Sequence, residues 1–352
     1  MNPSPRLHCS QPARTRGSAL IIALWVVILL TVILSQFAFD MAIESRIASY
    51  GRKRLRAASL AQAGIERARM LLVQSADPEL MKDTYEKKDK TWCGSARNLA
   101  RGSGVYGYAD ELQTGTVQVD IVPEVSRRNV NRLSPDDWDH VLHVAGIPEE
   151  FWDELKDCFF DWVDPDIQVR PKGAEEDYYG SLDPPYLPKN APLYTVDELL
   201  LIKGFTPAFL YGAPPPEPGS DTNAAAISGI ADLLTTFGDG RVNVNAASRR
   251  VLMTLPGVDE NTADQIVAER ERPPDEKQPT DTALFESAED FFKRFPVLRS
   301  TLQDRITTAA GVYRITSIGR SQGVEHRVSC MANVDTRSGA MNVLRWLETE
   351  GD

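Results

Sequence analysis

The sequence is poor in the residues that most enzymes use for nucleophilic, redox or metal chemistry. Its 352 residues include four histidines and four cysteines, and no two cysteines form a CxxC pair, which excludes a zinc ribbon. No phosphate-binding Walker loop or kinase motif set occurs. His140 and His143 lie one helical turn apart, without a nearby cysteine or HExxH glutamate to complete a zinc site. We therefore expect a protein that is not an enzyme.

Basic residues are also scarce where a nucleic-acid surface would need them. The formal net charge is −11, and residues 133–183 hold fifteen Asp and Glu against Lys156, Arg170 and Lys172. Contact with phosphates needs several Lys or Arg on one face, so we predict no nucleic-acid binding. The acidic stretch is typical either of a solvated surface or of a site for hard cations.

A long run without charge stands near the N-terminus. Residues 18–39 contain no charged side chain and follow a basic leader that ends in Arg16 and Gly17. As a helix the run would be roughly 33 Å long, enough to cross a hydrocarbon core of about 30 Å. A signal peptide would have a shorter apolar core and a cleavage site after it, whereas here the glycine precedes the run. We predict a single transmembrane helix over 18–39.

The helical pattern continues beyond the apolar run. Ala61, Ile65, Ala68 and Leu72 recur at spacings of three and four, which predicts an amphipathic helix that packs on a folded domain. Asp77 and Pro78 end the pattern. The sequence therefore predicts one N-terminal helix over 18–76.

Strand patterns lie on both sides of a long helical middle. Residues 116–125, 312–318 and 324–334 alternate as strands do, 343–347 adds a further candidate, and residues 79–114 look polar and irregular. We predict an α+β fold, with a sheet built from 77–128 and 309–352 and an inserted all-α domain over 129–308. Cys330 falls on the apolar face of its strand, which predicts a buried core cysteine.

The middle contains a weak internal repeat. Asn129-Val-Asn131 and Asn243-Val-Asn245 each lead through a helix to a glycine turn, at Gly146 and Gly257, and to a second helix. The pattern is a helix–hairpin–helix or SAM-like unit, and it divides the middle into halves 129–224 and 225–308. Such turns can bind DNA phosphates through backbone N–H groups and nearby cations. The cations available here stand among many acids, so a packing scaffold is the default interpretation: Arg249, Arg250, Arg270 and Arg272.

The acidic stretch contains a candidate calcium site. Asp164, Asp166 and Gln168 have the alternating spacing of calcium loops, and the acids of residues 175–177 could fold back to complete the shell. A solvated loop is the alternative, because the spacing is not that of a full EF-hand. The candidate ligands are Asp161, Asp164, Asp166, Gln168, Glu175, Glu176 and Asp177.

The leader resembles that of type IV prepilins and type II secretion pseudopilins, which prepilin peptidase cuts after the glycine. The resemblance implies cleavage between Gly17 and Ser18 and N-methylation of Ser18. Two positions depart from the usual pattern: Ser18 stands where the family has Phe or Met, and Ile22 where most members have Glu. That Glu is thought to neutralise the amine of a neighbouring subunit, since a lone charge in lipid is costly. Its absence is similar to minor pseudopilin K and suggests a subunit with nothing ahead of it.

Further motifs resemble minor pseudopilin K, the general secretion pathway protein K family. They are Asp161-Trp-Val-Asp164, Gly173-Ala-Glu-Glu-Asp-Tyr-Tyr179, Pro184-Pro-Tyr186 and Thr195-Val-Asp-Glu-Leu199. The resemblance covers most of residues 14–335. It implies a pilin-like fold, in which a long N-terminal helix packs on an antiparallel sheet, with an inserted helical domain and bound calcium.

The function implied by the resemblance is that of a minor pseudopilin at the tip of the type II secretion pseudopilus. It would cap the fibre with the I and J pseudopilins, contact H, and prime assembly. Its other partners would be prepilin peptidase and the inner-membrane secretion platform, with the bulk of the chain periplasmic. Cys9 would leave with the leader, and the pairing among Cys93, Cys158 and Cys330 stays open.

Two alternatives come from other classes of protein. One is a single-pass membrane protein whose helix–hairpin–helix units bind DNA or a periplasmic ligand. The other is a membrane-anchored hydrolase that uses the acidic loop.

Overall fold

The computed structural model describes residues 18–76, 90–214, 226–272, 283–335, 338 and 340–350. The leader, including Gly17 and Cys9, lies outside this range. The chain forms two compact units, residues 1–55 and residues 56–352. The described helices are α1 (Ser18–Ala76), α2 (Lys90–Ala100), α3 (Pro135–Ala145), α4 (Trp152–Val163), α5 (Glu176–Tyr179), α6 (Pro207–Tyr211), α7 (Arg249–Met253), α8 (Glu260–Arg270), α9 (Ala288–Arg294) and α10 (Arg299–Leu302). The strands are β1 (Val105–Leu112), β2 (Gly115–Pro123), β3 (Arg128–Asn129), β4 (Leu234–Thr235), β5 (Val242–Asn243), β6 (Ile306–Thr307), β7 (Val312–Ser321), β8 (Val324–Val334) and β9 (Met341–Glu350).

The first unit contains the apolar part of α1. From Leu20 to Phe39 its large apolar side chains are exposed, which in water would be unfavourable over so long a stretch. Length and composition make it a candidate membrane span. The helix predicted over 18–76 is confirmed.

In the second unit, the later part of α1 packs on a sheet. Ala61, Ile65, Ala68 and Leu72 are buried, as their spacing predicts. Gly64 lets the helix approach the strands closely, because a Cβ there would overlap the side chains of Ser317 and Val117. The apolar face of α1 and the inner face of the sheet therefore form one core.

The sheet is antiparallel throughout and has the order β1-β2-β7-β8-β9. Val119, Ile121, Ile315 and Val328 fill its inner face, and Cys330 is buried there as predicted. The strands predicted over 116–125, 312–318, 324–334 and 343–347 are all present.

The prediction of irregular structure over 79–114 is wrong for its described part. Helix α2 and strand β1 lie there. The apolar residues of α2 are few but recur at helical spacing, and β1 buries only Val105 and Tyr108 because it is an edge strand. The alternation of apolar and polar residues is weak in an edge strand, because one long edge and one face of the strand are exposed to water.

Residues 124–311 lie between the neighbouring strands β2 and β7, and in their described part most of the regular secondary structure is helical, around a core of its own. Short 3-10 helices complete this region: Glu124–Ser126, Val130–Arg132, Glu149–Phe151, Val196–Leu201 and Pro296–Leu298. The region is not purely α, since β3 pairs with β4 and β5 with β6, each over two residues and in parallel. Each pair joins the beginning of one repeat unit to its end.

The two repeat units share local geometry. Gly146 and Gly257 both have positive φ, at 74° and 79°, where a side chain would be strained, so glycine is suited to both turns. Leu155 and Ile266, each nine residues after its glycine, are both buried. The pairing of β3 with β4 extends the first unit to Thr235, beyond the predicted division at 224. The domain division itself stays a prediction.

Candidate metal centre

The acidic loop is anchored along one face of helix α4. Asp153, Asp157 and Asp161 recur every four residues on this helix and so point to the same side. Asp157 accepts a hydrogen bond from the N–H of Lys172 at 3.0 Å, and Asp153 accepts one from its Nζ at 3.0 Å. The loop that follows α4 therefore folds back against the helix.

Asp161 holds the middle of this loop. Its side chain is fully buried, and its Oδ2 accepts hydrogen bonds from the N–H groups of Arg170 at 3.2 Å and Ala174 at 3.0 Å. Its Oδ1 accepts from Nη1 of Arg170 at 2.7 Å. Between the two donors, Gly173 passes so close that a Cβ would overlap Oδ2 of Asp161. The backbone at Gly173 therefore lies in close contact with the carboxylate of Asp161.

Three carboxylates converge beside this anchor. Oxygen atoms of Asp164, Asp166 and Glu175 lie within 4.8 Å of one another. Oxygens on opposite sides of a calcium ion, each 2.3–2.6 Å from it, would be about 4.6–5.2 Å apart. The spacing therefore suits a shared hard cation.

Hydrogen bonding leaves part of this group unsatisfied. Glu175 is buried, yet among the described residues neither of its carboxylate oxygens has a hydrogen-bond partner, and neither has Oδ1 of Asp164. Buried carboxylate oxygens without partners are costly and rare in folded proteins. The residues present therefore fit a bound calcium ion, which would be coordinated by these oxygens.

The electrostatics point the same way. Burial, followed by the charges of Asp161, Asp164 and Asp166, raises the pKa of Glu175, while Arg170 opposes the shift. Arg170 donates from Nη1 to Asp161 and, at 2.6 Å, to Oδ2 of Asp164. One guanidinium thus faces four acids, which leaves an excess of negative charge.

The other predicted ligands lie apart from the converging three. Gln168 is exposed, and its backbone N–H donates to Oδ1 of Asp166 at 2.8 Å. Glu176 and Asp177 are exposed in the first turn of α5. The structure thus brings together Asp164, Asp166 and Glu175, and it places Asp161 beside them as the anchor of the loop. Coordination by any of these residues stays a prediction.

Sequence reasoning missed Arg170 as part of this site. It counted Arg170 only as one of the few cations in the stretch. The sequence feature that could have identified it is that Arg170 is the single arginine among residues 133–183. A buried carboxylate usually recruits such a cation.

Aromatic side chains support the loop from behind. The rings of Trp162 and Tyr179 meet edge to face with centroids 5.0 Å apart, and Tyr186 packs on Tyr179 at 5.5 Å. The carbonyl of Trp162 accepts a hydrogen bond from the N–H of Asn190 at 2.9 Å. Burial of this cluster fixes the end of α4, from which the acids project.

The four arginines that the sequence offered as cations of the second repeat unit have partners in the same chain. Arg249 pairs with Glu260 and Asp264, and Arg250 pairs with Asp232. Arg270 is largely buried and donates to the carbonyls of Val244 and Ala247, and Arg272 lies 3.6 Å from Glu269. These four side chains are therefore held by acids and backbone of the same chain.

The predicted processing and tip positions lie at the beginning of the described chain. Ser18 is the first residue of α1, and Ile22 is exposed in its second turn. Gly17, on the other side of the predicted cut, lies outside the described residues.

Comparison with known proteins gives a match to a family and matches to solved structures. Residues 122–213 match the family described as type II secretion system (T2SS), protein K. A chain of the crystal structure of the GspK–GspI–GspJ complex from the type 2 secretion system of enterotoxigenic Escherichia coli matches with a TM-score of 0.53 and 12% sequence identity. That match covers 88% of this chain and 99% of the other. No curated protein matches significantly.

The structural match, at this low identity, shows the fold. The long N-terminal helix and antiparallel sheet of the predicted pilin-like fold are confirmed. The family match falls on the segment that contains α3, α4 and the acidic loop.

Proposed function

We propose that this protein, whose resemblance to type II secretion protein K the family match confirms, is a minor pseudopilin that caps the pseudopilus tip. The observation that carries the proposal is the combination of two matches in one chain. Residues 122–213 match the family of protein K, and 88% of the chain is covered by a structural match to a chain from the GspK–GspI–GspJ complex.

The exposed apolar part of α1 supports attachment to a membrane, which in this proposal is the inner membrane. Its first turns carry no charged side chain, and hydrocarbon is the solvent that suits such a surface. The folded unit from Arg56 onward would then lie in the periplasm, where pseudopilins assemble. Prepilin peptidase would remove residues 1–17 and Ser18 would be methylated.

Two features favour a terminal position in the fibre. The helical region over 124–311 is large, and we propose that its bulk blocks the stacking of a further subunit above it. Ile22 removes the carboxylate with which most pilins pair the amine of a neighbouring subunit. Such a subunit would leave no room for a further subunit above it and would offer no carboxylate to that subunit's amine, so it would begin the fibre. The I and J pseudopilins would bind beneath it, with H and the inner-membrane platform following.

Calcium has a structural role in this proposal. An ion held by Asp164, Asp166 and Glu175 would neutralise buried charge and tie the end of α4 to the beginning of α5. The acids would then stabilise the helical region and take no part in turnover.

The absence of enzymatic activity is part of the proposal. Residues Gly319-Arg-Ser-Gln-Gly323 have the GxSxG spacing of hydrolases, but they form the end of β7 and its turn into β8. A nucleophile elbow needs a strand, a sharp turn and a helix. Ser321 is also buried and donates to the carbonyl of Thr114 at 2.8 Å.

Nucleic-acid binding by the repeat units is the alternative from another class. It would need free cations on one face, and the four arginines named above are engaged by acids and carbonyls. Their engagement favours a scaffold. Salt-dependent DNA binding by the purified protein would favour the alternative.

The test is the intact mass of the protein after co-expression with prepilin peptidase. Loss of Met1–Gly17 together with one added methyl group is expected, and Gly17→Val should prevent both changes. An unprocessed chain, under conditions that process a control prepilin, would overturn the proposal. Co-purification with the I and J pseudopilins then tests the tip complex separately.

A further inference from the structure

A cavity of about 240 Å³ lies between the outer face of the sheet and the helical region. Strands β7, β8 and β9 form one wall, and residues 195–197 and 231–237 form the other. No part of the proposed function uses this cavity. Its lining includes three arginines, which is unusual in a chain with a formal net charge of −11.

Strand register brings two of the arginines together. Met331 on β8 pairs with Arg314 on β7 and with Arg345 on β9, so the three side chains stand in one row on the same face. Neighbouring strands are about 4.8 Å apart, so Arg314 and Arg345 stand on either side of Met331, and both line the cavity. The third, Arg127, reaches the cavity from the segment that follows β2.

These guanidinium groups have too few acidic partners. Glu124 is buried and serves two of them, with its Oε1 at 2.6 Å from Nε of Arg314 and at 3.9 Å from Nη1 of Arg127. Its other oxygen accepts a hydrogen bond from the hydroxyl of Thr235 at 2.7 Å. The side chain of Arg345 forms neither an ion pair nor a hydrogen bond within the part of the chain that the structure describes.

The electrostatic field of these arginines favours the binding of an anion. Burial, and then repulsion by Arg314, lowers the pKa of Arg127, while Glu124 and then Asp232, which itself pairs with Arg250, act in the opposite direction. Asp197 also lines the cavity, but it is exposed and accepts a hydrogen bond from the hydroxyl of Tyr211 at 2.9 Å. Positive charge therefore exceeds negative charge where water is partly excluded, and a bound anion would relieve the repulsion.

The rest of the lining narrows the class of anion. Val196, Leu234, Phe237, Met331 and Leu347 give the cavity apolar walls. Guanidinium groups bind carboxylates through paired N–H donors, and apolar walls suit a hydrocarbon stem. A free phosphate would gain nothing from these walls and would lose its hydration. We infer that the cavity binds a carboxylate that carries a short hydrocarbon stem.

Two sources offer this chemistry: a free aliphatic acid, and a glutamate side chain of a protein partner. Carboxylate binding here does not depend on the proposed place of the protein in secretion. The test uses the full chain in detergent and isothermal titration calorimetry, with glutarate and the blocked tripeptide acetyl-Ala-Glu-Ala-amide as probes. Inorganic phosphate serves as the comparison anion.

The variants isolate the arginine without an acidic partner. Arg345→Gln should weaken binding of the carboxylate by about tenfold or more, since a charge-assisted pair is lost. Arg345→Lys keeps the positive charge but lacks the planar guanidinium group, so its affinity for the carboxylate should lie between those of the parent and Arg345→Gln. Arg327→Gln is the matched control, because Arg327 lies on β8, is exposed and does not line the cavity. Equal thermal midpoints of the variants would show that their folds are intact.

Saturable binding of either carboxylate with a stoichiometry of one, weakened by Arg345→Gln and unchanged by Arg327→Gln, is the expected result. Tighter binding of glutarate would identify a free acid as the source, and tighter binding of the tripeptide would identify a protein segment. The inference is overturned if neither probe binds, if Arg345→Gln binds as the parent does, or if phosphate binds as tightly as the carboxylates.

Discussion

The side chain of Asn245 and the backbone of Phe285 exchange two hydrogen bonds. Nδ2 donates to the carbonyl of Phe285 at 2.8 Å, and the N–H of Phe285 donates to Oδ1 at 2.9 Å. Asn131 makes the same two bonds with Leu193, at 3.0 and 2.7 Å. The repeated asparagine therefore fastens the beginning of each unit to the segment that precedes a later helix of that unit, Val196–Leu201 in the first and α9 in the second.

Replacing Asn245 by alanine should destabilise the fold. The side chain is buried and also donates to the carbonyl of Arg101 at 2.8 Å, so its loss leaves several buried backbone groups unpaired. We expect the free energy of unfolding to fall by about 3 kcal/mol. Urea denaturation followed by tryptophan fluorescence measures it.

Asn261→Ala is the control for that experiment. Asn261 is exposed on α8, where alanine is a better helix former, so the change should stay within about 0.5 kcal/mol. Equal urea midpoints for the two variants would show that the bonds to Phe285 contribute little.

Asp137 should make stability depend on acidic pH. Although burial alone would raise its pKa, the charge of Arg128 and hydrogen bonds from Arg128 and Ser134 lower it from 3.8 to about 2. A lowered pKa contributes stability above the unfolded value, and this is lost as the pH falls from about 5 to 2. We expect the loss to be about 2 kcal/mol, measured by urea unfolding across this range.

Asp137→Asn supplies the comparison. At neutral pH the variant should be about 3–5 kcal/mol less stable, because Arg128 is buried and depends on this carboxylate at 2.6 Å. Its stability should change less than that of the parent between pH 5 and 2. Parallel pH profiles would contradict the assignment of the titrating group.

Removal of calcium should lower thermal stability. If an ion binds Asp164, Asp166 and Glu175, calcium at one hundred times its dissociation constant stabilises the folded chain by about 2.7 kcal/mol. Chelation with EGTA should reverse the effect, and differential scanning calorimetry measures it. Glu175→Gln should abolish most of the calcium-dependent shift. In EGTA this variant should be at least as stable as the parent, because it removes a buried carboxylate without partners.

Glu176→Gln is the matched control for calcium. Glu176 is adjacent but exposed, and it lies outside the converging group. It should keep the full response to calcium. An equal loss in both variants, or no effect of EGTA on the parent, would argue against an ion at this site.

Ile22→Glu should change assembly more than membrane insertion. Position 22 is near the beginning of the span, where a carboxylate can reach the interface, so insertion should be tolerated. The new carboxylate restores the pairing that most pilins use, and we expect an altered order of subunit assembly. Membrane fractionation, cross-linking to the other minor pseudopilins and secretion assays measure these effects. Ile21→Glu places the same charge one residue earlier and serves as the comparison. Unchanged assembly and secretion in Ile22→Glu would count against the argument that a carboxylate at position 22 changes the order of assembly.

Elements with a repeating local pattern could be predicted from the sequence. Strand β8 alternates between buried and less buried residues from His326 onward because its inner face packs on α1, and the turn at Gln322 and Gly323 separates it from β7. Helix α1 was equally clear, since its buried residues recur at helical spacing. Strand β1 was missed because an edge strand buries few side chains.

The candidate site was predictable in composition but not in arrangement. Spacing suggested that Asp164 and Asp166 share a cation, and Glu175 was included because the loop could fold back. What the loop needs to do so is long-range: the buried carboxylate of Asp161 and the close passage of Gly173. Glu176 and Asp177 look the same as Glu175 in sequence, and only the direction of α5 separates them.

The pairing of Pro123 on β2 with Tyr313 on β7 has a consequence for how this chain can vary. The backbone leaves the sheet and returns to it at adjacent points, about 5 Å apart, as in a hairpin. A turn of a few residues could close that gap without moving either strand. The whole segment over 124–311 could therefore be inserted, lost or exchanged while the register between β2 and β7 stays unchanged.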